Sequence, residues 1–177
     1  DTDGTVYPGA DDTCDGQIND CNDSSETNDE LDNDGDGYVE CDYDVSTWSG
    51  TGTVSGGGDC DDGYAATHPG ANEICDGVLN ECGTYTTADY STASAPANET
   101  DDDSDTFVEC AYDASTWRGS TVAGGEDCDD TSGHAGYVYP GAQEYCDGVF
   151  NDCEDASYNA SFPPADESDD DSDGFVD

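Results

Sequence analysis

The sequence predicts a mostly irregular fold with small β pieces, little helix and no large hydrophobic core, organised as cross-linked tandem repeats. Three observations predict it: the chain repeats itself, its acids recur at fixed spacing, and its apolar content is too small for an ordinary core. Of 177 residues, 46 are Asp or Glu, and Arg118 is the only basic residue besides two His, so the formal net charge is -45. Leu, Ile, Val and Phe make up about a tenth of the chain, and chains below roughly 20% with high net charge normally stay disordered. Ten Cys, two Trp and eleven Tyr do not fit a solvated acidic tail. Small extracellular domains replace a core with disulfides or metals. The charge also excludes partners. A nucleic-acid binder needs basic surface to replace counterions, and an anionic membrane surface would repel this chain. No apolar run approaches the ~18 residues of a membrane span, so neither nucleic acid nor direct membrane insertion is expected.

The repeats come first. Pro8-Gly9-Ala10 returns at residues 69–71 and 140–142, and Cys14-Asp15-Gly16 at 75–77 and 146–148. Asn19-Asp20-Cys21 returns as Asn80-Glu81-Cys82 and Asn151-Asp152-Cys153. An aromatic-Val-acid triplet closes each unit: Tyr38-Val39-Glu40, Phe107-Val108-Glu109, Phe175-Val176-Asp177. Residues 41–109 and 110–177 are complete repeats, and residues 1–40 form an N-terminally truncated one. The complete repeats share Tyr43 to Trp48 and Tyr112 to Trp117, each leading into a Gly-Gly-x-Asp-Cys-Asp-Asp segment. Alternation at Thr51 to Val54 predicts a small strand, while Gly and Asp-Gly turns interrupt every longer periodicity.

The acids then acquire meaning. Asp32, Asp34 and Asp36 stand at positions 1, 3 and 5 of a loop, with Gly37 at 6, the Tyr38 carbonyl at 7 and Glu40 at 9. The same pattern gives Asp101, Asp103, Asp105, Phe107 and Glu109, then Asp169, Asp171, Asp173, Phe175 and Asp177. Oxygen donors at this spacing wrap a calcium ion, and Gly at 6 permits the sharp turn. Thr106 replaces that Gly in the second copy. Position 12, where an EF-hand has its bidentate Glu, is Tyr43, so the loop is EF-like without the EF-hand fold. A merely solvated acidic run needs neither spacing nor Gly.

A second array surrounds Pro-Gly-Ala. It comprises Asp59, Asp61, Asp62, Glu73, Asp76, Asn80 and Glu81, then Asp127, Asp129, Asp130, Glu144, Asp147, Asn151 and Asp152, and in the truncated copy Asp1, Asp12, Asp15, Asn19 and Asp20. All-oxygen donors suit hard cations; turn chemistry is the competing reading. Two calcium ions per repeat would offset about 12 negative charges. Metal binding coupled to folding would then replace the core, leaving the metal-free chain largely unfolded.

Regularly placed cysteines point to an oxidising compartment. If the chain is self-contained, Cys14 pairs with Cys21, and by repetition Cys75 with Cys82 and Cys146 with Cys153. Cys41 then pairs with Cys60 and Cys110 with Cys128; nested pairings remain open. His68 replaces Tyr7 and Tyr139 before the repeated Pro and reads as a packing ring, while His134 has no repeat partner. Trp48 and Trp117 read as seals on small aromatic clusters, with sugar stacking as the alternative. No nucleophile–His–acid constellation recurs, and repetition of every site argues against an enzyme. Asn22, Asn98 and Asn159 head glycosylation sequons, one per repeat.

Asp59 to Asp62, Pro69 to Gly77 and Asn80-Glu81-Cys82, with their counterparts at Pro8–Cys21, Asp127–Asp130 and Pro140–Cys153, resemble the metal-binding repeat of MopE-type bacterial surface proteins. The Asp-x-Asp-x-Asp segments are similar to thrombospondin type 3 calcium repeats. The resemblance implies secreted or surface-attached tandem arrays with calcium as the ion. Copper is not carried over, because the chain has no Met and no recurrent His. The full expectation is thus a set of tandem calcium- and disulfide-stabilised repeats forming an extracellular structural protein. It would be a rod or head-to-tail filament segment whose partners are copies of itself, with end sites at Asp1 and Asp177 completed by a neighbour. The alternative is a calcium-dependent adhesion module binding glycans.

Overall fold

The structure is a computed structural model, and it describes residues 3–22, 28–83, 90, 93–130, 135–161, 164–169 and 172–173. The chain divides into two compact units, Asp1–Ile74 with Leu79–Ser94, and Cys75–Val78 with Ala95–Asp177. Among the described residues the elements are brief: two-residue strands β1 (Tyr38–Val39), β2 (Gly56–Gly57), β3 (Phe107–Val108) and β4 (Gly124–Gly125), and four 3-10 turns at Asn28–Glu30, Ala97–Glu99, Ala135–Tyr137 and Ala165–Glu167. The irregular, small-β fold class expected from the sequence is what the structure has.

β1 pairs in parallel with β2, Tyr38 opposite Gly56, and β3 pairs likewise with β4, Phe107 opposite Gly124. The expected strand at Thr51 to Val54 is not formed; the ladder lies at Gly56–Gly57 instead. Close approach, not β propensity, selects it. A Cβ on Gly57 would lie 2.1 Å from the Cys41 carbonyl oxygen, and one on Gly125 would lie 2.2 Å from that of Cys110. Only glycine admits such backbone contact.

The interior is small and polar. Val39 and Val108 are fully buried, but so are Asn19, Asn80, Asn151, Thr67, Asp59 and Asp76. The asparagines hold the Cys-x6-Cys turns: Asn19, Asn80 and Asn151 Oδ1 accept from the N–H of Thr13, Ile74 and Tyr145 at 2.7, 2.8 and 2.7 Å. Buried polar groups satisfied this way cost little. His68 stacks on Tyr38, with ring centroids 4.7 Å apart, as Tyr139 stacks on Phe107 at 4.9 Å; the packing-ring reading of His68 agrees with this. Trp48 and Trp117 pack edge-on to Tyr43 and Tyr112 at 5.3 Å.

The disulfides correct the expected pairing. They join Cys14 to Cys41, Cys60 to Cys82, Cys75 to Cys110 and Cys128 to Cys153, and Cys21 and Cys146 carry free, exposed thiols. The expectation rested on each repeat closing its own bridges. Here Cys14 and Cys75 reach forward to the first cysteine of the next repeat, at Cα separations of 5.8 and 5.7 Å that disulfide geometry allows. With 22 to 35 residues enclosed, each contributes about 3.5 kcal/mol in the chain-entropy account.

Candidate metal centre

The first two Asp-x-Asp-x-Asp segments fold on themselves through backbone N–H groups. Asp32 accepts from Gly35 (Oδ1, 2.8 Å) and Gly37 (Oδ2, 3.1 Å), Asp34 Oδ1 from Asp36 (3.1 Å), and Asp36 Oδ1 from Tyr38 (2.7 Å). The second copy repeats this: Asp101 accepts from Ser104 and Thr106, Asp103 from Asp105, and Asp105 from Phe107, at 2.8 to 3.1 Å. The left-handed backbone positions are Gly35 and Gly37 in one loop, and Ser104 and Thr106 (φ 74° and 81°) in the other. Thr106 therefore accepts the conformation that its Gly counterpart adopts freely, and the loop survives the replacement at a strain of about 1 kcal/mol or more.

The strand ladders bring part of the second array to these loops. The Asp59 N–H donates to the Val39 carbonyl and Asp127 to Val108, both at 3.0 Å. Asp62 takes the Asn33 backbone N–H at 3.0 Å and also its side-chain amide. Asp130 takes the N–H groups of Asp102 and Asp103 at 2.8 and 2.9 Å. The result is two overlapping acid clusters per loop: Asp32/Asp34/Asp36 with Asp34/Asp59/Asp62, and Asp101/Asp103/Asp105 with Asp103/Asp127/Asp130. Within each cluster one carboxylate oxygen from each residue lies within 4.8 Å of those of the others, and Asp34 or Asp103 belongs to both.

The electrostatics are those of a cation site. Asp34, Asp36, Asp59, Asp103, Asp105, Asp127 and Asp130 each bury an Oδ2 atom with no hydrogen-bond partner among the described residues. Burial, reinforced by neighbouring carboxylates, pushes Asp59, Asp105 and Asp130 up to about 6, and raises Asp34, Asp103 and Asp127 as well. Glu40 and Glu109 are raised for the same reasons, with Asp62 and Asp102 the leading charges on them. Converging buried oxygens without donors are costly unless a cation meets them. An all-carboxylate set of this density fits a hard divalent ion.

The rest of the second array does other work. Glu73 accepts from the N–H groups of Asn80 and Glu81, and Glu144 from those of Asn151 and Asp152. Asp12 takes Asn19 N–H at 3.4 Å, while Asp15, Asp76 and Asp147 Oδ1 cap the second residue after them at 3.0 Å. Asp20, Glu81 and Asp152 accept from the N–H of Gly9, Gly70 and Gly141. Asp61 and Asp129 follow Asp59 and Asp127, donating N–H to them at 3.1 and 3.2 Å. In the third copy Asp173 N–H donates to Asp169 Oδ1 at 3.0 Å; Asp171, Phe175, Asp177 and Asp1 lie outside the described residues. Asn22, Asn98 and Asn159 are exposed.

Sequence reasoning missed one set of residues. Glu30, Glu99 and Glu167 end three of the 3-10 turns and accept the N–H pairs of Asp15/Gly16, Asp76/Gly77 and Asp147/Gly148. Their signal was available: a Glu recurs two residues before each Asp-x-Asp-x-Asp segment. Another acid group, Cys14/Glu30/Cys41, is no metal site, because its sulfurs are bonded to each other.

These geometries define a chain whose repeated carboxylates converge in groups that could hold a metal ion. Residues 1–26, 59–83 and 127–157 match the profile of the Cu-binding MopE family, described as "Putative metal-binding motif". Three segments of the chain thus match that family model, in agreement with the sequence resemblance. No curated protein and no solved structure matches it. The matched segments supply Asp59, Asp62, Asp127 and Asp130; the Asp-x-Asp-x-Asp halves of the clusters lie between matches.

Proposed function

We propose that this chain is an extracellular, calcium-binding structural repeat protein, a segment of a rod or head-to-tail filament without enzymatic activity. The sharing of Asp34 and Asp103 between two acid clusters, each with buried oxygens lacking donors, carries the reading. Two adjacent ions bridged by one carboxylate stiffen a repeat that has little apolar core. Calcium is preferred to copper because the clusters are all carboxylate and His68 is engaged in ring stacking. The disulfides support an oxidising, extracellular setting, and the exposed sequons at Asn22, Asn98 and Asn159 support glycosylation there. Edge-on packing of Trp48 and Trp117 against tyrosines favours a structural role for them over sugar stacking. Native mass spectrometry and titration calorimetry with calcium, magnesium and copper(II) test the reading. At least four calcium ions bound per chain, with copper far weaker, is the expected result. Ordered protein that binds no calcium refutes it.

A further inference from the structure

The turn Cys-Asp-Gly occurs three times, and in two of them it is covered by the opening segment of the next repeat, Cys-x-Tyr-x-x-x-x-Trp-x-Gly. Over the first turn, Cys14 is bonded to Cys41, Ser49 N–H donates to the Asp15 carbonyl at 2.7 Å, and Gly16 faces Gly50 so closely that a Cβ there would lie 2.4 Å from its Cα. Over the second, Cys75 is bonded to Cys110, Arg118 N–H donates to the Asp76 carbonyl at 2.6 Å, and a Cβ on Gly77 would lie 2.5 Å from Gly119 Cα and 2.9 Å from the Trp117 ring. The neighbouring 3-10 turn adds a fourth contact: Cys41 N–H donates to Asp29 O at 3.1 Å and Cys110 N–H to Asn98 O at 3.0 Å.

The third turn has the same internal structure and, among the described residues, no cover. Gly148 keeps the left-handed φ of its counterparts, 88° against 74° and 80°. Glu167 Oε2 accepts from Asp147 and Gly148 N–H at 3.0 and 2.6 Å, as Glu30 and Glu99 do in the covered turns. Yet Cys146 is an exposed free thiol, Asp147 is exposed where Asp15 and Asp76 are buried, and no atom of another described residue lies within 4 Å of a Cβ placed on Gly148. The shape that received two glycine–tryptophan segments is present and open.

We infer that the face formed by Cys146, Asp147, Gly148 and the Ala165–Glu167 turn is a docking site for the Cys-x-Tyr-x-x-x-x-Trp-x-Gly opening segment of a further repeat unit, locked by a disulfide to Cys146. Asp147 and Asp166 carbonyls occupy the places of the two acceptors used in the covered copies, and Gly148 leaves room for the incoming Gly and Trp ring. The lock forms by thiol–disulfide exchange when the incoming cysteine arrives as a mixed disulfide with a small thiol. The Cys146 thiolate attacks that cysteine's sulfur, the new S–S bond forms, and the small thiol leaves as thiolate with no net oxidation. The inference deepens the tandem-assembly reading but does not depend on which cation fills the acid clusters.

The test uses the whole chain in saturating calcium and a synthetic peptide with the sequence of residues 110–121, its cysteine activated as a 2-thiopyridyl disulfide. Release of thiopyridone gives the rate, and peptide mapping gives the site. Cys21, also exposed and free, is the internal control, and 2,2′-dithiodipyridine calibrates the intrinsic reactivity of both thiols. The expected result is at least tenfold preference for Cys146 over Cys21 beyond that calibration. The preference should disappear with a peptide carrying Trp117→Ala or with Gly148→Val in the chain. A peptide that partitions as the small disulfide does overturns the inference. So does a Cys146–Cys21 link between two copies that forms in preference to peptide attachment. Because calcium is saturating throughout, either failure leaves the metal reading untouched.

Discussion

Replacing Asp103 by Asn should invert its effect on stability with the metal content of the solution. Asp103 shares clusters with Asp101, Asp105, Asp127 and Asp130, whereas Asp101 shares one with Asp103 and Asp105 alone. Two unit charges 4.8 Å apart repel by about 0.9 kcal/mol even at the dielectric constant of water. In chelator at low ionic strength, Asp103→Asn thus relieves about 3.5 kcal/mol and Asp101→Asn about half that. The amide keeps the Oδ1 acceptor for the Asp105 N–H and alters only the buried Oδ2 that has no donor. In calcium the same change removes a charged ligand from both clusters. A hundredfold loss at each costs about 5.5 kcal/mol of linked stability, which outweighs the relief of about 3.5 kcal/mol. Urea unfolding read by Trp fluorescence, from chelator to millimolar calcium, should give curves that cross, the variant above wild type without calcium and below it with calcium. Destabilisation of one sign and similar size throughout would show that Asp103 serves the backbone and not a cation. A larger relief from Asp101→Asn in chelator would show that the clusters do not share Asp103.

Other consequences follow from the same geometry. Thr106→Gly should raise stability in calcium by about 1 kcal/mol, because Thr106 occupies φ 81°; an unchanged urea midpoint would remove the strain argument. Gly77→Ala should cost about 2 kcal/mol more than Gly70→Ala, since both have φ near 80° but only Gly77 faces backbone at 2.5 Å; equal losses in thermal melts would contradict the close packing. Asp59, Asp105 and Asp130, raised to about 6 by burial, bind more protons folded than unfolded. The metal-free fold therefore gains stability as pH falls from about 6 towards 4 and loses it as pH rises through that window. Protons compete with the cation there, so calorimetry should find weaker calcium binding at pH 5.5 than at 7.5, with greater proton release; a pH-independent affinity would refute the assignment of these carboxylates as ligands.

The loops were legible because their information is local. Spacing at positions 1, 3 and 5 with a left-handed residue at 6 dictates which N–H each carboxylate meets, and the structure has those bonds in Asp32–Tyr38 and Asp101–Phe107. The joining of Asp34 to Asp59 and Asp62 was not legible, because it depends on a parallel ladder whose determinant is glycine-to-carbonyl approach at Gly57. Composition gives no hint of such a contact. The cysteine pairing misled for a related reason. Repetition constrains which pairings are equivalent, but not whether a bond closes within a repeat or reaches into the next. Cys14 reaches Cys41 because the Asn28–Glu30 turn binds both sides, Glu30 to the Cys14-Asp15-Gly16 turn and Asp29 to Cys41.

The cluster aspartates divide their oxygens. Oδ1 of Asp34, Asp36, Asp59, Asp103, Asp105, Asp127 and Asp130 accepts a backbone N–H, and Oδ2 is buried without a donor. One atom fixes the chain and the other is held for the ion, so the loop cannot turn its carboxylates outward in the absence of metal without giving up its own turn hydrogen bonds. The ion and the backbone conformation therefore stabilise each other through the same side chains. This coupling explains how a repeat with one fully buried valine at each ladder can keep a defined shape. It also requires that Asp→Ala at these positions, which deletes both oxygens, exceed Asp→Asn in cost even where no cation is present.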